Sequence, residues 1–220
     1  SNSMSTVGNN IPEKTIERLS EYRRTLLACH KQGITHIFSH VLAGTHGITA
    51  VQVRRDLMLI GFSSDTKKGY DVKVLIEFIN GILDSESVMN VAVIGMGNLG
   101  QAITKYFNGK GLKLRIVTAF DVDPHKVGSV IDDIPCYHMD RFEEVVSSMD
   151  ISIVVISSPT RIAPSLVVPI INAGIKGVLN FTSAPLNFPQ GIVAENYDIT
   201  TILEKVAYFV KESDESNDKN

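Results

Sequence analysis

Several large classes of protein are excluded by what this chain lacks. Although 44% of its residues are hydrophobic, no apolar run approaches the roughly 18 residues of a membrane span, so the pattern is that of a globular protein with buried cores and no membrane partner. There are two cysteines, Cys29 and Cys136, and neither has C-x-x-C or metal-ligand spacing. That excludes a disulfide scaffold, gives no reason to expect a metal, and suits a reducing cytoplasm in which both act as small buried hydrophobes. No secretory signal is visible: Ser1 to Asn10 is polar, and Ser1-Asn2-Ser3 ahead of Met4 reads as an expression-tag remnant. Strong charge of one sign is also missing, since the net value is −3. That balance hides an asymmetry. Residues 12–80 hold ten Lys/Arg against seven Asp/Glu, and residues 81–220 hold eleven against seventeen. Four of the six histidines, His30, His36, His40 and His46, also lie in the first part. The first part is therefore the one suited to meet a polyanion, but its excess is too mild to decide the matter alone.

The most informative stretch is in the middle. Val91-Ala92-Val93-Ile94 runs into Gly95-Met96-Gly97-Asn98-Leu99-Gly100, and Asp121 follows 21 residues after the last glycine. A strand ending in G-x-G-x-x-G turns tightly at the first glycine and brings backbone against a pyrophosphate at the second. The third lets the next helix pack closely, and an acid ending the second strand accepts from ribose hydroxyls. A carboxylate there favours NAD(H) over NADP(H), because it would face a 2′-phosphate. From Met89 the pattern alternates strand and helix. Strands are expected at 90–94, 114–120, 151–157 and 177–181 with an edge strand at 192–197, and helices at 99–107, 141–149, 163–173 and 199–210. Such alternation calls for a doubly wound parallel sheet, with Gly95 to Gly100, Asp121 and Ser157-Ser158-Pro159 around one crevice at the strand ends.

About 80 residues precede this fold. Pro12 to Lys31 reads as a helix with Ile16, Leu19, Leu26 and Leu27 on one face, stopped by Gly33. Ser39 to Ala43, a Thr45-His46-Gly47 turn, and a helix opened by a Thr49/Gln52 capping box follow. This is a helix-turn-helix pattern, in which Thr49, Gln52, Arg54 and Arg55 have the chemistry to read DNA in the major groove. Phe62 to Tyr70 reads as a β-wing offering Lys67 and Lys68 to phosphates, and Asp71 caps a helix with Leu75, Phe78, Ile79 and Ile82 on its apolar face. An oligomerisation domain with Arg54-Arg55 on a solvated face fits the same segment. The residues alone leave both readings open.

Hydride transfer requires a proton donor beside the nicotinamide. After the fingerprint only His125 and His138 remain as histidines, in loops on the adenosine half, and Tyr106 with Lys110 closes the first helix where no catalytic pair is expected. No catalytic residue is therefore expected. The cofactor reads as sensed, not spent.

With a winged helix in front and an NAD fold behind, residues 12–210 resemble the Rex family of bacterial redox-sensing transcriptional repressors. The resemblance rests on Ile11-Pro12-Glu13 with Arg18-Leu19, on Thr49 to Leu57, on Gly69-Tyr70, and on Gly95 to Gly100. Ala119 to Pro124 with Lys126-Val127-Gly128, Ala173 to Gly177 with Leu179-Asn180-Phe181, and Ala207-Tyr208-Phe209 complete it. It implies an NADH/NAD⁺-sensing repressor that binds double-stranded operator DNA as a homodimer and dissociates when NADH binds. The fold it implies is α/β, an N-terminal winged helix plus a Rossmann sheet with a domain-swapped C-terminal helix. The corresponding segments are a disordered start at 1–11, a DNA-binding domain at 12–84, an NAD(H)-binding domain at 85–197, the swapped helix at 198–211 and a disordered tail at 212–220. Tyr106 would then lie near the cofactor, and Arg24 would pair with Asp198 of the other subunit as a latch. The chain departs from the family pattern in Leu59-Ile60-Gly61, in Asp65-Thr66 with the lysines moved to Lys67-Lys68, and in Ile199 after the latch acid. Two other readings remain: a small NAD-dependent oxidoreductase with a helical dimerisation domain, and a CoA-binding module, against which Asp121 argues.

Overall fold

The computed structural model of the chain describes residues 11–64, 67–108 and 113–218. It divides into two compact units between Glu86 and Ser87.

The N-terminal unit is helical. Helix α1 (Glu13–Lys31) starts after Pro12, whose missing N–H costs nothing at a helix start, and ends at Gln32 before Gly33, with φ +77°. Helices α2 (Ser39–Thr45) and α3 (Ala50–Leu59) form the helix-turn-helix, and α4 (Val72–Leu83) closes the bundle. Leu19, Tyr22, Leu26, Leu42, Val53, Leu57, Leu75 and Ile79 make the core. Two expected core residues face outward: Leu27 is 43% exposed and Phe78 37%, and Tyr22 and Ile76 take the buried positions. The wing also differs. Among the described residues of its expected span only Tyr70 joins a ladder, in β2 (Tyr70–Asp71), which pairs antiparallel with β1 (His36–Ile37). Gly69 makes this join possible, because at its φ of +92° a Cβ would stand 2.5 Å from the Ile37 carbonyl oxygen. Asp65 and Thr66 lie outside the described residues, as do Ser1 to Asn10 and Lys110.

The C-terminal unit is a Rossmann sheet. Its strands are β3 (Met89–Ile94), β4 (Leu114–Asp121), β5 (Val130–Ile131), β6 (Ile134–His138), β7 (Ile151–Ile156), β8 (Gly177–Asn180) and β9 (Val193–Asn196), in spatial order β5-β6-β4-β3-β7-β8-β9. Apart from the β5–β6 hairpin every pairing is parallel. The order reverses between β3 and β7, the switch point at which doubly wound sheets place their ligands. Helix α5 (Asn98–Phe107) covers one face, and α6 (Phe142–Ser148) with α7 (Val167–Asn172) covers the other. Short 3₁₀ turns at Met139–Arg141 and Ala163–Leu166 lead into α6 and α7, the second turn carrying a proline at its start.

Two elements depart from the sequence expectation. The β5–β6 hairpin was not anticipated; Asp132 and Asp133 make its two-residue turn with φ of +51° and +64°, the conformation a type I′ turn needs. Helix α8 (Ile199–Asn217) runs well past Val210 into the acidic stretch expected to be a disordered tail. There the Ser213 and Ser216 hydroxyls donate to the carbonyls of Phe209 and Glu212 within the helix. No residue of α8 is buried.

Candidate functional site

The glycine loop between β3 and α5 lies at the switch point. Gly95 has φ +99°, and a Cβ there would stand 2.6 Å from the Ser158 nitrogen, so the loop passes against the end of β7 with no room for a side chain. A Cβ on Gly100 would overlap the Gly95 carbonyl oxygen and lie 2.9 Å from Ser157 Oγ. Gly97 is the reverse case. At the N-cap of α5, with φ −70°, it has nothing within 4 Å of a Cβ position. A bare backbone facing open space, followed by helix amides that have no intrahelical acceptor, is a cradle for phosphate oxygens. Asn98 and Leu99 are exposed in that first turn, and Met96 is fully buried with its backbone turned to Asp121.

Asp121, at the end of β4, fixes the loop. Its Oδ2 accepts from Met96 N at 2.8 Å and its Oδ1 accepts from Asp123 N at 2.9 Å. Each carboxylate oxygen has a second lone pair, so both can still accept from a hydroxyl. Ser158 and Pro159, at the end of β7, line the same cleft as Gly95 and Asp121. Sequence reasoning missed its apolar wall, made by Val122, Met139, Ile162 and Leu166. Ser157, expected at this crevice, ties the end of β7 to the glycine loop, its Oγ donating to the Gly95 carbonyl at 2.8 Å. The donor set and the glycine cradle fit a dinucleotide. A larger hollow of about 700 Å³ lies beside Val88, Leu114 and Met149, at the other ends of the strands.

Tyr106 is not on the cleft wall. It is 63% exposed at the end of α5, edge-on to Phe107. His138 accepts from Asp140 N and His125 is exposed, and neither lines the cleft. Burial pushes the Cys136 thiol up to about 11, with Asp121 adding to it, so this cysteine is an inert core group.

In the N-terminal unit the capping box is half formed. Thr49 Oγ1 accepts from Gln52 N at 3.1 Å, but the Gln52 amide turns the other way and its Nε2 donates to Asp56 Oδ1 at 3.0 Å. Arg54 and Arg55 are exposed on α3, with Arg54 reaching Ser39 Oγ at 3.2 Å. Lys67 and Lys68 are exposed in the turn before Gly69. Asp56 was not anticipated: it is 2% exposed and accepts from Arg18 Nε and Nη2, Tyr22 Oη and Gln52. Burial alone would raise its pKa, but hydrogen bonds from Arg18, Tyr22 and Gln52 and the Arg18 charge hold it below the usual carboxylate value. The Tyr22 hydroxyl is pushed far up, first by burial and then by Asp56. The two residues expected to form a latch have local partners in the single chain. Arg24 is exposed on α1, 3.2 Å from Ser20 Oγ, while Asp198 caps α8 by accepting from Thr200 N at 3.1 Å and Thr201 Oγ1 at 3.0 Å.

A helix-turn-helix unit with a basic outward face, in the same chain as a dinucleotide cleft, defines the class of ligand-responsive DNA-binding regulators. Comparison with known proteins agrees in both halves. Residues 10–57 match the family model described as "Putative DNA-binding protein N-terminus", and residues 86–184 match the "CoA binding domain" model. The chain is 36% identical over 200 residues to the redox-sensing transcriptional repressor Rex of Leuconostoc citreum, covering 91% of this chain and 93% of that one. It is 32% identical over 206 residues to Rex of Lactobacillus acidophilus, covering 94% and 98%. Among solved structures it is similar to RSP, a Rex-family repressor, in complex with β-NADH, with a TM-score of 0.82, 28% identity, and coverage of 96% and 99%. It is also similar to RSP in complex with β-NAD⁺ and operator DNA, with a TM-score of 0.87, 28% identity, and coverage of 96% and 97%. The chain belongs to the Rex family of redox-sensing transcriptional repressors, which are not enzymes.

Proposed function

We propose that this chain is a cytoplasmic NADH/NAD⁺-sensing repressor that binds operator DNA as a homodimer and releases it when NADH binds. The observation that carries this reading is the glycine cradle at Gly97 beside Asp121, in one chain with the exposed arginines of α3. The two RSP complexes support it, one holding NADH and the other NAD⁺ with operator DNA. Gly95 to Gly100 receive the pyrophosphate, Asp121 the ribose, and Ser158 and Pro159 flank the cleft. Tyr106 approaches the cofactor from the dimer side. Thr49, Arg54, Arg55, Lys67 and Lys68 meet DNA.

Helix α8 exchanges between subunits. All 19 of its residues remain accessible in the single chain, and a helix bearing Leu203, Val206, Phe209 and Val210 on such a surface needs a partner to cover it. Release of DNA requires that NADH favour the non-binding dimer more strongly than NAD⁺ does. The neutral reduced ring enters an apolar dimer pocket at lower desolvation cost than the cationic one. In that state Arg24 pairs with Asp198 of the other subunit.

The CoA model match supports a second reading, in which the cleft takes CoA. Selection of duplex DNA from a random pool, with no addition, with NADH and with CoA, tests both. The reading expects a palindromic winner that is lost with NADH and unaffected by CoA. No enriched duplex, or loss with CoA alone, contradicts it.

A further inference from the structure

Which side chain of α3 reads sequence is decided by how the helix is turned. At about 100° per residue, the buried positions Val53, Asp56 and Leu57 fix the inward side. The opposite pole passes through Val51, with Arg54 and Arg55 on either side of it one turn later. Val51 is 47% exposed, in the first turn after the Thr49 N-cap. The first turn of a recognition helix is the part that reaches base edges. Gln52, the residue with the more familiar base-reading chemistry, is rotated about a quarter turn away. One of its two amide N–H groups is given to Asp56, which as an ionised carboxylate can only accept, so the nitrogen of that amide is turned toward the buried carboxylate.

We propose that Val51 is the sequence-reading residue of α3, packing its methyl groups on the C5-methyl of a thymine in the major groove, and that Gln52 braces the helix without reading a base. The inference rests on the DNA-binding function proposed above. Valine has no hydrogen-bonding group, and thymine is the one base whose major-groove edge carries a methyl group. Arg54 and Arg55 flank this contact and supply phosphate or guanine bonds, so the apolar centre is held against the groove floor by charge on both sides. An apolar residue at this pole, ringed by cations, is matched to a thymine methyl and poorly matched to a cytosine amino group.

The test uses the full chain and the duplex it selects from a random pool. Each thymine is replaced singly by deoxyuridine, which pairs identically and lacks the methyl, and affinity is read by fluorescence anisotropy at one salt concentration. The expected result is one thymine per half-site at which the wild type loses about fourfold, the weight of one buried methyl group. Val51→Ala binds more weakly overall and loses less than the wild type on the swap at that thymine, since its single methyl group reaches less of the base. Alanine at this exposed helical position favours the helix, so folding is preserved. Gln52→Ala selects the same sequence as the wild type. The proposal is overturned if no single swap weakens the wild type, if Val51→Ala is as sensitive as the wild type, or if Gln52→Ala selects a different base. Failure to enrich any duplex overturns the DNA-binding function itself, a result distinct from these.

Discussion

The Arg18 guanidinium holds both oxygens of the Asp56 carboxylate, Nε on Oδ2 at 2.7 Å and Nη2 on Oδ1 at 2.9 Å, and so ties the first helix of the N-terminal unit to the helix that bears the exposed arginines. Tyr22 Oη donates to Oδ2 at 2.6 Å and completes the shell. Removing the carboxylate leaves the buried tyrosine hydroxyl without its acceptor and the guanidinium without its counter-ion. Asp56→Ala should lower the stability of this unit by about 2–4 kcal/mol. Hydrogen–deuterium exchange in residues 13–59 measures it, and unchanged protection would contradict the role.

The same carboxylate sets an acid limit. Its pKa is lowered in the folded state, so its contribution is complete above the unfolded value near 4 and is lost as pH falls through the folded one. The opening free energy of α1 and α3 should hold level from pH 7 to about 5 and decline below about 4. Asp56→Asn should remove most of that decline. Equal acid sensitivity in the two proteins would show that the pair is not its source.

The roles of the second and third glycines of the loop separate cleanly by substitution. Gly97→Ala meets nothing within 4 Å at an ordinary φ, so its melting temperature should stay that of the wild type. NADH affinity by calorimetry should fall at least about tenfold, because the added methyl occupies the phosphate approach. Gly100→Ala forces its Cβ onto the Gly95 carbonyl, and should lose stability as well as affinity. Full NADH affinity in Gly97→Ala would show that phosphate does not lie there.

Asp121 serves both loop and ligand. Asp121→Asn keeps an acceptor for Met96 N while giving up the one for Asp123 N, and removes the charge, so the glycine loop should keep its tie to the end of β4. The preference for NADH over NADPH should narrow by about tenfold in fluorescence titration, since a 2′-phosphate no longer faces a carboxylate. A wild type that prefers NADPH would overturn the ribose assignment.

The dimer proposal stands on α8. Leu203 and Phe209 are 66% and 60% exposed in the single chain, and charging both, as Leu203→Glu with Phe209→Glu, should yield a monomer by light scattering at a concentration where the wild type is dimeric. A monomeric wild type would remove the proposal.

Much of this was legible in residue order because periodicity and glycine chemistry act locally. The strand into Gly95, the acid at Asp121, the cap at Thr49 and the parallel edge strand at Val193–Asn196 each follow from short-range rules. What escaped depends on distant partners or misleading composition. Pro135 and the Asp132-Asp133 pair disguised the β5–β6 hairpin as a loop, since strand ladders rarely contain proline and I′ turns usually carry glycine. Asp56, within Arg54-Arg55-Asp56, reads as a solvated charge until α1 brings Arg18 and Tyr22 to it. The acids after Lys211 read as a tail, yet α8 continues through them to Asn217. Gln52 had the right chemistry for an adenine, and only the fold shows one of its amide N–H groups given to Asp56.

The central claim is that reduced cofactor in the Gly97–Asp121 cleft controls DNA occupancy by α3. The most direct measurement is anisotropy of a labelled, selected palindrome held at half-saturation by the wild type while NADH is added, with NAD⁺ in a parallel titration. The account predicts that NADH drives the duplex off at concentrations where NAD⁺ leaves it bound, and that Gly97→Ala abolishes the difference. Occupancy that stays flat as NADH rises, or falls equally with both cofactors, would contradict it.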